Sequence, residues 1–458
     1  MNLKKEFKKA ILIYLITWVL FFVGIVLLLF FRSNESLLKS ITRFFELAAY
    51  LDFLISVHIL FVSIYILFVL IRYFFRVYKK RGLSTSLKQI GFRVLFPLLV
   101  LIVSYKIIDY NNNNERYEYT WDYSVENTSG TSKNLYAIDG KHRGMHVFGF
   151  EGTNEKGISD IVKTNIEWVA IVPFIHQKNE YSNPKSAPDK VGSWTRRDSS
   201  FIKMIHQFQE KGIKIMLKPH LWLSDGWRSN INFASDKEWD TWFESYRLHM
   251  IHYAQLAEQN NVELLCIGTE LRTSIKHQPL AWQGLIRDIK KVYSGKLTYA
   301  ANWDDDIASY TFWEALDYVG VQAYFPLTKN NNPDLETIKR GWNPFVLELE
   351  TLSKKLNKPV LFTEVGYKSE AAATVTPWEW NSIFSNLSRK KSNKTQQLAY
   401  EALFQSLWDK EWFAGIYVWQ WSFRSQEENA PKNLDFSPRF KPAENTIATW
   451  FEKLVYDQ

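Results

Sequence analysis

The sequence holds one cysteine, Cys266, in 458 residues. No disulfide framework can hold a single chain of this kind together, and the count alone assigns it to no redox compartment. Several chemical signatures are missing as well. There is no G-x-S-x-G nucleophile elbow, no P-loop and no Gly-rich dinucleotide fingerprint, which argues against a hydrolase triad and a nucleotide-binding sheet. No nucleotide-sugar motif is evident, which disfavours a transferase that builds glycan. The nine histidines show no HExxH or other ligand spacing, so neither a catalytic metal nor another cofactor is expected. Acidic residues are scarce in the first 109 positions, which hold 15 Lys/Arg against 5 Asp/Glu. The rest of the chain is close to neutral, so the formal charge of +8 does not describe a basic face for nucleic acid.

Long stretches without charge are present at the N-terminal end. Ala10 to Phe31 has no ionisable side chain apart from Tyr14, and it is long enough to cross a bilayer core. Its length and the lack of a small-residue cleavage site fit an anchor better than a secretory signal. A second span is expected over 53–71, with His58 inside it, and a third over 90–108, interrupted by Pro97 and ended by Lys106. Asp52 is expected at the interface and His58 in a helix contact. Lys4, Lys5, Lys8 and Lys9, and the acid-free loop from Arg72 to Arg93, put the N-terminus and the second loop on the cytoplasmic side. Three spans then place the remainder outside, in a multi-pass protein of the cell membrane; two would leave it inside. Residues 110–133 have the composition of a polar linker.

From 134 to 458 short apolar runs alternate with amphipathic helical patterns. Strands are expected over 144–150, 168–175, 214–223, 262–270, 297–302, 318–325, 359–365 and 415–423. Helices are expected over about 199–211, 281–292, 335–356, 395–408 and 443–455. Ser235-Asp236-Lys237-Glu238 reads as a capping box opening a long helix to about Gln259. Eight such units match an α/β fold of the (β/α)8 TIM-barrel type, preceded by an all-α transmembrane segment. A doubly wound open sheet is the structural rival.

In such barrels the chemistry sits at the strand C-terminal ends. Reading those ends collects Lys218, His220, Trp222, Glu270, Asn302, Trp303, Gln322, Tyr324, Glu364, Trp419 and Trp421. A lone Glu there is more often a solvated strand-end residue. Here two Thr-Glu pairs, Thr269-Glu270 and Thr363-Glu364, each close an apolar run. Two carboxylates facing one cavity are what glycosidic cleavage requires, about 5–5.5 Å apart in retaining enzymes. Indole faces can stack on pyranose C–H faces, and 18 of the 19 Trp lie after residue 110. Tyr324 can donate to a nucleophilic carboxylate, His220 can bind a hydroxyl or orient Glu270, and an inward Lys218 is expected to pair with a carboxylate. Asp304, Asp305 and Asp306 are expected to cap a helix rather than ligate metal.

Five blocks in order then look familiar. They are Lys218-Pro219-His220, Ile267-Gly268-Thr269-Glu270-Leu271, Tyr299-Ala300-Ala301-Asn302-Trp303-Asp304, Gly320-Val321-Gln322-Ala323-Tyr324-Phe325-Pro326 and Leu361-Phe362-Thr363-Glu364-Val365-Gly366-Tyr367. Together they resemble glycoside hydrolase family 113, a clan A barrel family best known for retaining endo-β-1,4-mannanases. The likeness covers roughly 134–455. It implies Glu270 as acid/base and Glu364 as nucleophile, and Trp227-Arg228 resemble a substrate-contacting segment. Much of the clan has Asn before the acid/base, where this chain has Thr269.

These readings converge on a membrane-anchored retaining β-glycoside hydrolase of the mannanase type. Its expected partners are a β-linked oligo- or polysaccharide and the lipid bilayer, not nucleic acid. A hydrolase of another β-linked glycan, or a non-catalytic saccharide-binding or sensing domain using the same cleft, is the alternative.

Overall fold

A computed structural model of the protein describes residues 3–33, 36–48, 51–115, 117–148, 155–185, 193–379 and 389–455. Two compact units emerge, Met1–Ile108 and Asp109–Gln458. The first contains α1 (Leu3–Ser33), α2 (Leu37–Ala48) and α3 (Leu51–Ile90), then a π-helical turn at Gly91–Leu95 and the start of α4 (Phe96–Asn113). Among the described residues two helical runs are long and apolar enough to cross a membrane, Phe7–Phe31 and Val57–Asn113. The second is 57 residues long and carries most of both later spans expected from the sequence. Gly82 interrupts it at φ 78°, ψ 174°, a conformation that costs little without a Cβ. Large apolar side chains on these helices face outward, among them Leu20, Ile59 and Leu101.

The second unit holds the strands β1 (His142–Phe148), β2 (Trp168–Ile171), β3 (Phe174–Gln177), β4 (Pro184–Lys185), β5 (Lys214–Leu217) and β6 (His220–Leu223), followed by β7 (Leu264–Thr269), β8 (Lys296–Asn302), β9 (Tyr318–Gln322), β10 (Val360–Val365) and β11 (Phe413–Ser422). Eight of them close a parallel barrel in the order β1-β11-β10-β9-β8-β7-β5-β2. Residues 149 and 150, expected to end the first strand, lie outside the described residues. Because strand side chains alternate, Leu264 and Cys266 fill the barrel interior with Trp168, Met216, Ala300 and Leu361. Leu265 and Ile267 point the other way, into the layer beneath the surrounding helices.

Those helices are α5 (Tyr136–Asp139), α6 (Glu155–Val162), α7 (Ser193–Gln209), α8 (Asp236–Gln259), α9 (Arg272–His277), α10 (Pro279–Lys290), α11 (Leu335–Leu356), α12 (Asn393–Leu407) and α13 (Pro442–Glu452). The capping box at Ser235 and Glu238 forms as the sequence implies. Asp334 caps α11 through the Thr337 N–H, and Asn357 ends it in the left-handed conformation.

Two expected strands, 168–175 and 214–223, are each cut in two. Pro173 and Pro219 have no N–H to give a ladder, and beyond them the chain leaves the barrel. There β3 pairs parallel with β6, and β4 adds an antiparallel edge. This small sheet builds a wall above one side of the barrel mouth.

Residues 110–133, expected to be a polar linker, make firm contacts within the second unit. Trp121 and Val125 bury against Ala448, the Tyr119 hydroxyl donates to Glu444 Oε2 at 2.6 Å, and Asn165 Nδ2 donates to the Val125 carbonyl at 2.7 Å.

Candidate active site

Glu364 sits near the C-terminal end of β10. Strict alternation from outward-facing Phe362 would turn it outward too. The pairing with β9 shifts here, so that Phe362 opposes Val321 and Glu364 opposes the next residue, Gln322. The extra residue, Thr363, re-aims the carboxylate into the barrel mouth. Gly320 permits the close packing beneath it: a Cβ there would lie 2.2 Å from the Tyr299 carbonyl oxygen.

Glu364 is 4% exposed and encircled by donors. Lys218 Nζ donates to Oε1 and also to Gln322 Oε1, the latter at 2.8 Å. The Tyr324 hydroxyl donates to Oε2 at 3.0 Å. His220 Nε2 lies 3.2 Å and His146 Nε2 4.0 Å from Oε1. Burial alone would raise the carboxyl pKa, but the Lys218 ammonium and the approach of His220 overcome it and hold Glu364 far below the carboxylate range. Burial, then the Lys218 charge, pushes His220 down to about 4, so its ring is neutral at pH 7. Burial, then the Glu364 charge, raises the Tyr324 hydroxyl well above its ordinary value, so it stays protonated and remains a donor.

Glu270 directly follows β7, in a left-handed backbone conformation, φ 53°. Such a conformation in a non-glycine residue costs on the order of 1–3 kcal/mol and persists only where its surroundings impose it. Here the Glu270 N–H donates to the Ala300 carbonyl at 2.9 Å, and its own carbonyl accepts from Ser229 Oγ at 2.7 Å. The side chain, 5% exposed, accepts a hydrogen bond from Arg228 Nη2 at 2.8 Å. The Arg228 guanidinium in turn rests 4.5 Å from the Trp227 ring centroid.

Both carboxylates line one cavity of about 910 Å³. Of the residues singled out by sequence, His220, Trp222, Trp227, Arg228, Asn302, Trp303, Gln322, Tyr324 and Trp419 line it with them. Lys218 does not: it is fully buried beneath the floor, with its ammonium committed to Glu364 and Gln322. Trp421 does not either. The pairing of β11 with β1 also shifts, with Val418 opposite Met145 and Trp421 opposite Val147. Three residues on β11 therefore match two on β1, and Trp421 turns outward into the buried layer, 5.3 Å from the Arg439 guanidinium. Gln420 lines the cavity instead.

The aspartates after β8 also differ from expectation. Asp306 supplies no side-chain cap to the short turn that follows. Arg272 bonds both Asp304 and Asp305, and Asp305 Oδ2 accepts from the Asn302 N–H at 3.0 Å and the Tyr310 hydroxyl at 2.7 Å. These contacts fix the turn that presents Asn302 and Trp303.

Sequence reasoning missed Phe148, Phe174, Trp378 and Phe436, all of which line the cavity. Phe148 and Phe174 lie on strands whose period-2 pattern could have flagged them. Trp378 and Phe436 lie on irregular loops, where no periodicity points anywhere.

A parallel eight-stranded barrel with two carboxylates and an aromatic-walled cleft at its strand ends belongs among the carbohydrate-cleaving (β/α)8 hydrolases. Residues 149–441 match the model of Glycoside Hydrolase Family 113, and the chain belongs to that family. Solved structures agree. One described as a complex of a GH113 beta-1,4-mannanase is 25% identical, with a TM-score of 0.59, covering 68% of this chain and 99% of its own. The GH113 beta-mannanase AaManA from Alicyclobacillus acidocaldarius, in complex with ManMIm, is 27% identical, with a TM-score of 0.58, covering 68% and 97%. No curated protein matches the chain.

Proposed function

We propose that this glycoside hydrolase is a membrane-anchored, retaining enzyme that cleaves β-1,4-mannosidic bonds, with Glu364 as nucleophile and Glu270 as acid/base. The observation that carries the assignment is the asymmetry of the two carboxylates. Glu364 accepts hydrogen bonds from an ammonium and a phenol that keep it anionic, with the His220 ring 3.2 Å away, whereas Glu270 meets one guanidinium at the cavity wall.

In the first step a Glu364 oxygen attacks the anomeric carbon. The bond to the leaving sugar breaks, its electron pair goes to the glycosidic oxygen, and Glu270 in its acid form protonates that oxygen. The product is a glycosyl ester on Glu364. Water then attacks the same carbon, Glu270 takes its proton, and the Glu364 carboxylate is released. Two inversions restore the starting configuration. Tyr324 and Lys218 hold the nucleophile in place, and the indoles offer faces to the sugar rings.

Mannan as substrate is supported by the solved relatives of 25–27% identity, both described as mannanases. The membrane anchor is supported by the length and outward apolar surface of the two N-terminal helical runs. The Lys/Arg pattern supports a cytoplasmic N-terminus with the barrel on the other side.

The test is kinetic. Glu364→Ala abolishes hydrolysis. Glu270→Ala retains slow turnover of aryl β-mannosides with good leaving groups, and azide rescues it to give the β-glycosyl azide. Formation of an α-azide, or rescue of Glu364→Ala to the β-azide, would exchange or discard the two roles.

A further inference from the structure

In the closed barrel β9 lies diametrically across from β2. The β3–β6 sheet rises above the β2–β5 edge, carrying Phe174 and Trp222 edge to face at 6.0 Å. Facing it, over β9, stand two further indoles. Trp303 follows β8 and Trp378 lies in the loop after β10. Their rings stack with centroids 5.2 Å apart and 26° between planes. Both line the cavity, and Trp378 is 42% exposed, at the rim, while the two carboxylates lie deep.

The loop bearing Trp378 is fixed from below. Lys368 Nζ donates to the Glu379 carbonyl and lies 2.8 Å from Glu370 Oε1. Arg389 Nη1 donates to Glu370 Oε2 at 2.6 Å, and Thr376 Oγ1 donates to Glu379 Oε2 at 3.0 Å. Burying such charges is a poor way to gain stability, since desolvation offsets most of the attraction. What the network does achieve is to tie the described stretch of the loop, up to Glu379, to the chain beneath it while Trp378 stays open to solvent. A large exposed apolar face held in place by such contacts, inside a cleft, is a surface made to be covered. Neutral sugar rings present C–H faces that match it and carry hydroxyls at their edges for the polar groups nearby.

We propose that Trp378, backed by Trp303, is a stacking subsite for a pyranose ring remote from the cleavage point, so that the cleft selects glycan chains of several units over short ones. This deepens, and rests on, the reading of the cavity as a glycan cleft.

The experiment measures calorimetric binding by the full-length chain in detergent, with Glu364→Gln to suppress turnover. The probes are mannobiose and mannohexaose, beside cellobiose and cellohexaose. Adding Trp378→Ala weakens hexaose binding about tenfold and biose binding less than about twofold, and Trp378→Phe recovers most of the loss. Equal weakening for biose and hexaose, or none for either, overturns the proposal, as does failure of the parent variant to bind any hexaose. Length-dependent loss in a protein whose wild type cleaves neither series leaves the subsite standing and removes the hydrolase reading.

Discussion

Replacing Lys218 with methionine tests the electrostatic account of the nucleophile. Methionine keeps much of the length and volume of the side chain and removes its charge. Lys218 is fully buried, and its ammonium is the largest influence opposing the burial that would otherwise raise the Glu364 pKa. Removing one partner of a buried ion pair costs about 3–5 kcal/mol. At about 1.36 kcal/mol per pKa unit, a cost borne by the ionised carboxylate lifts its pKa by about 2–4 units. In the wild type Glu364 ionises far below the carboxylate range, so it should add no acid limb to kcat/KM above about pH 4. In Lys218→Met that limb should climb by about 2–4 pH units. His220, relieved of the same ammonium charge, becomes easier to protonate, so the His220→Asn double variant should show the fuller shift. The assay is kcat/KM for an aryl β-mannoside across about pH 3 to 9. A uniform drop at every pH with the limb unmoved would refute the argument and reduce Lys218 to a packing role. The sign for stability follows. A depressed carboxyl pKa stabilises the fold above the unfolded value of about 4.3 and loses that contribution as pH falls toward the folded one. Wild-type acid unfolding should therefore begin below about pH 4 as far as this group is concerned.

Tyr324→Phe removes one hydrogen bond to a charged acceptor, worth about 1.5–3 kcal/mol. It should lower kcat/KM by roughly ten- to a hundredfold and lower the melting temperature as well, because the same bond serves a buried carboxylate in the folded protein; activity and melting are measured side by side. Reporter fusions after Lys80 and after Asn134 should report opposite sides of the membrane. Reports from the same side would mean that the helix after Gly82 does not cross.

The features that the sequence disclosed rest on local rules. Alternation at Leu264-Leu265-Cys266-Ile267 and the capping box at Ser235 need only near neighbours, and both formed as expected. So did the gathering of Glu270, Gln322 and Tyr324 at one mouth, because they lie at or just past the ends of parallel strands; Glu364 joins them only through the shift in its pairing with β9. The failures share a physical cause, a break in the two-residue period. Pro173 and Pro219 could have announced the split of two strands, since neither can donate to a ladder. The shift on β11 that turns Trp421 away depends on how that strand registers with β1, and no window of sequence contains both. Trp378 reaches the cleft on a loop held by Lys368, Glu370 and Arg389, an arrangement that exists only once the chain has folded.

The central claim, retaining cleavage of β-mannosides by Glu364 and Glu270, is tested most directly by anomer-resolved analysis of the first products. The full-length protein is offered β-1,4-manno-oligosaccharides beside cello-oligosaccharides, and products are read before mutarotation. Retaining cleavage of mannosidic bonds gives β-configured manno-products. α-configured products would contradict the double displacement, cleavage of the gluco-series alone would contradict the mannosidic assignment, and binding without cleavage of either series would contradict catalysis itself.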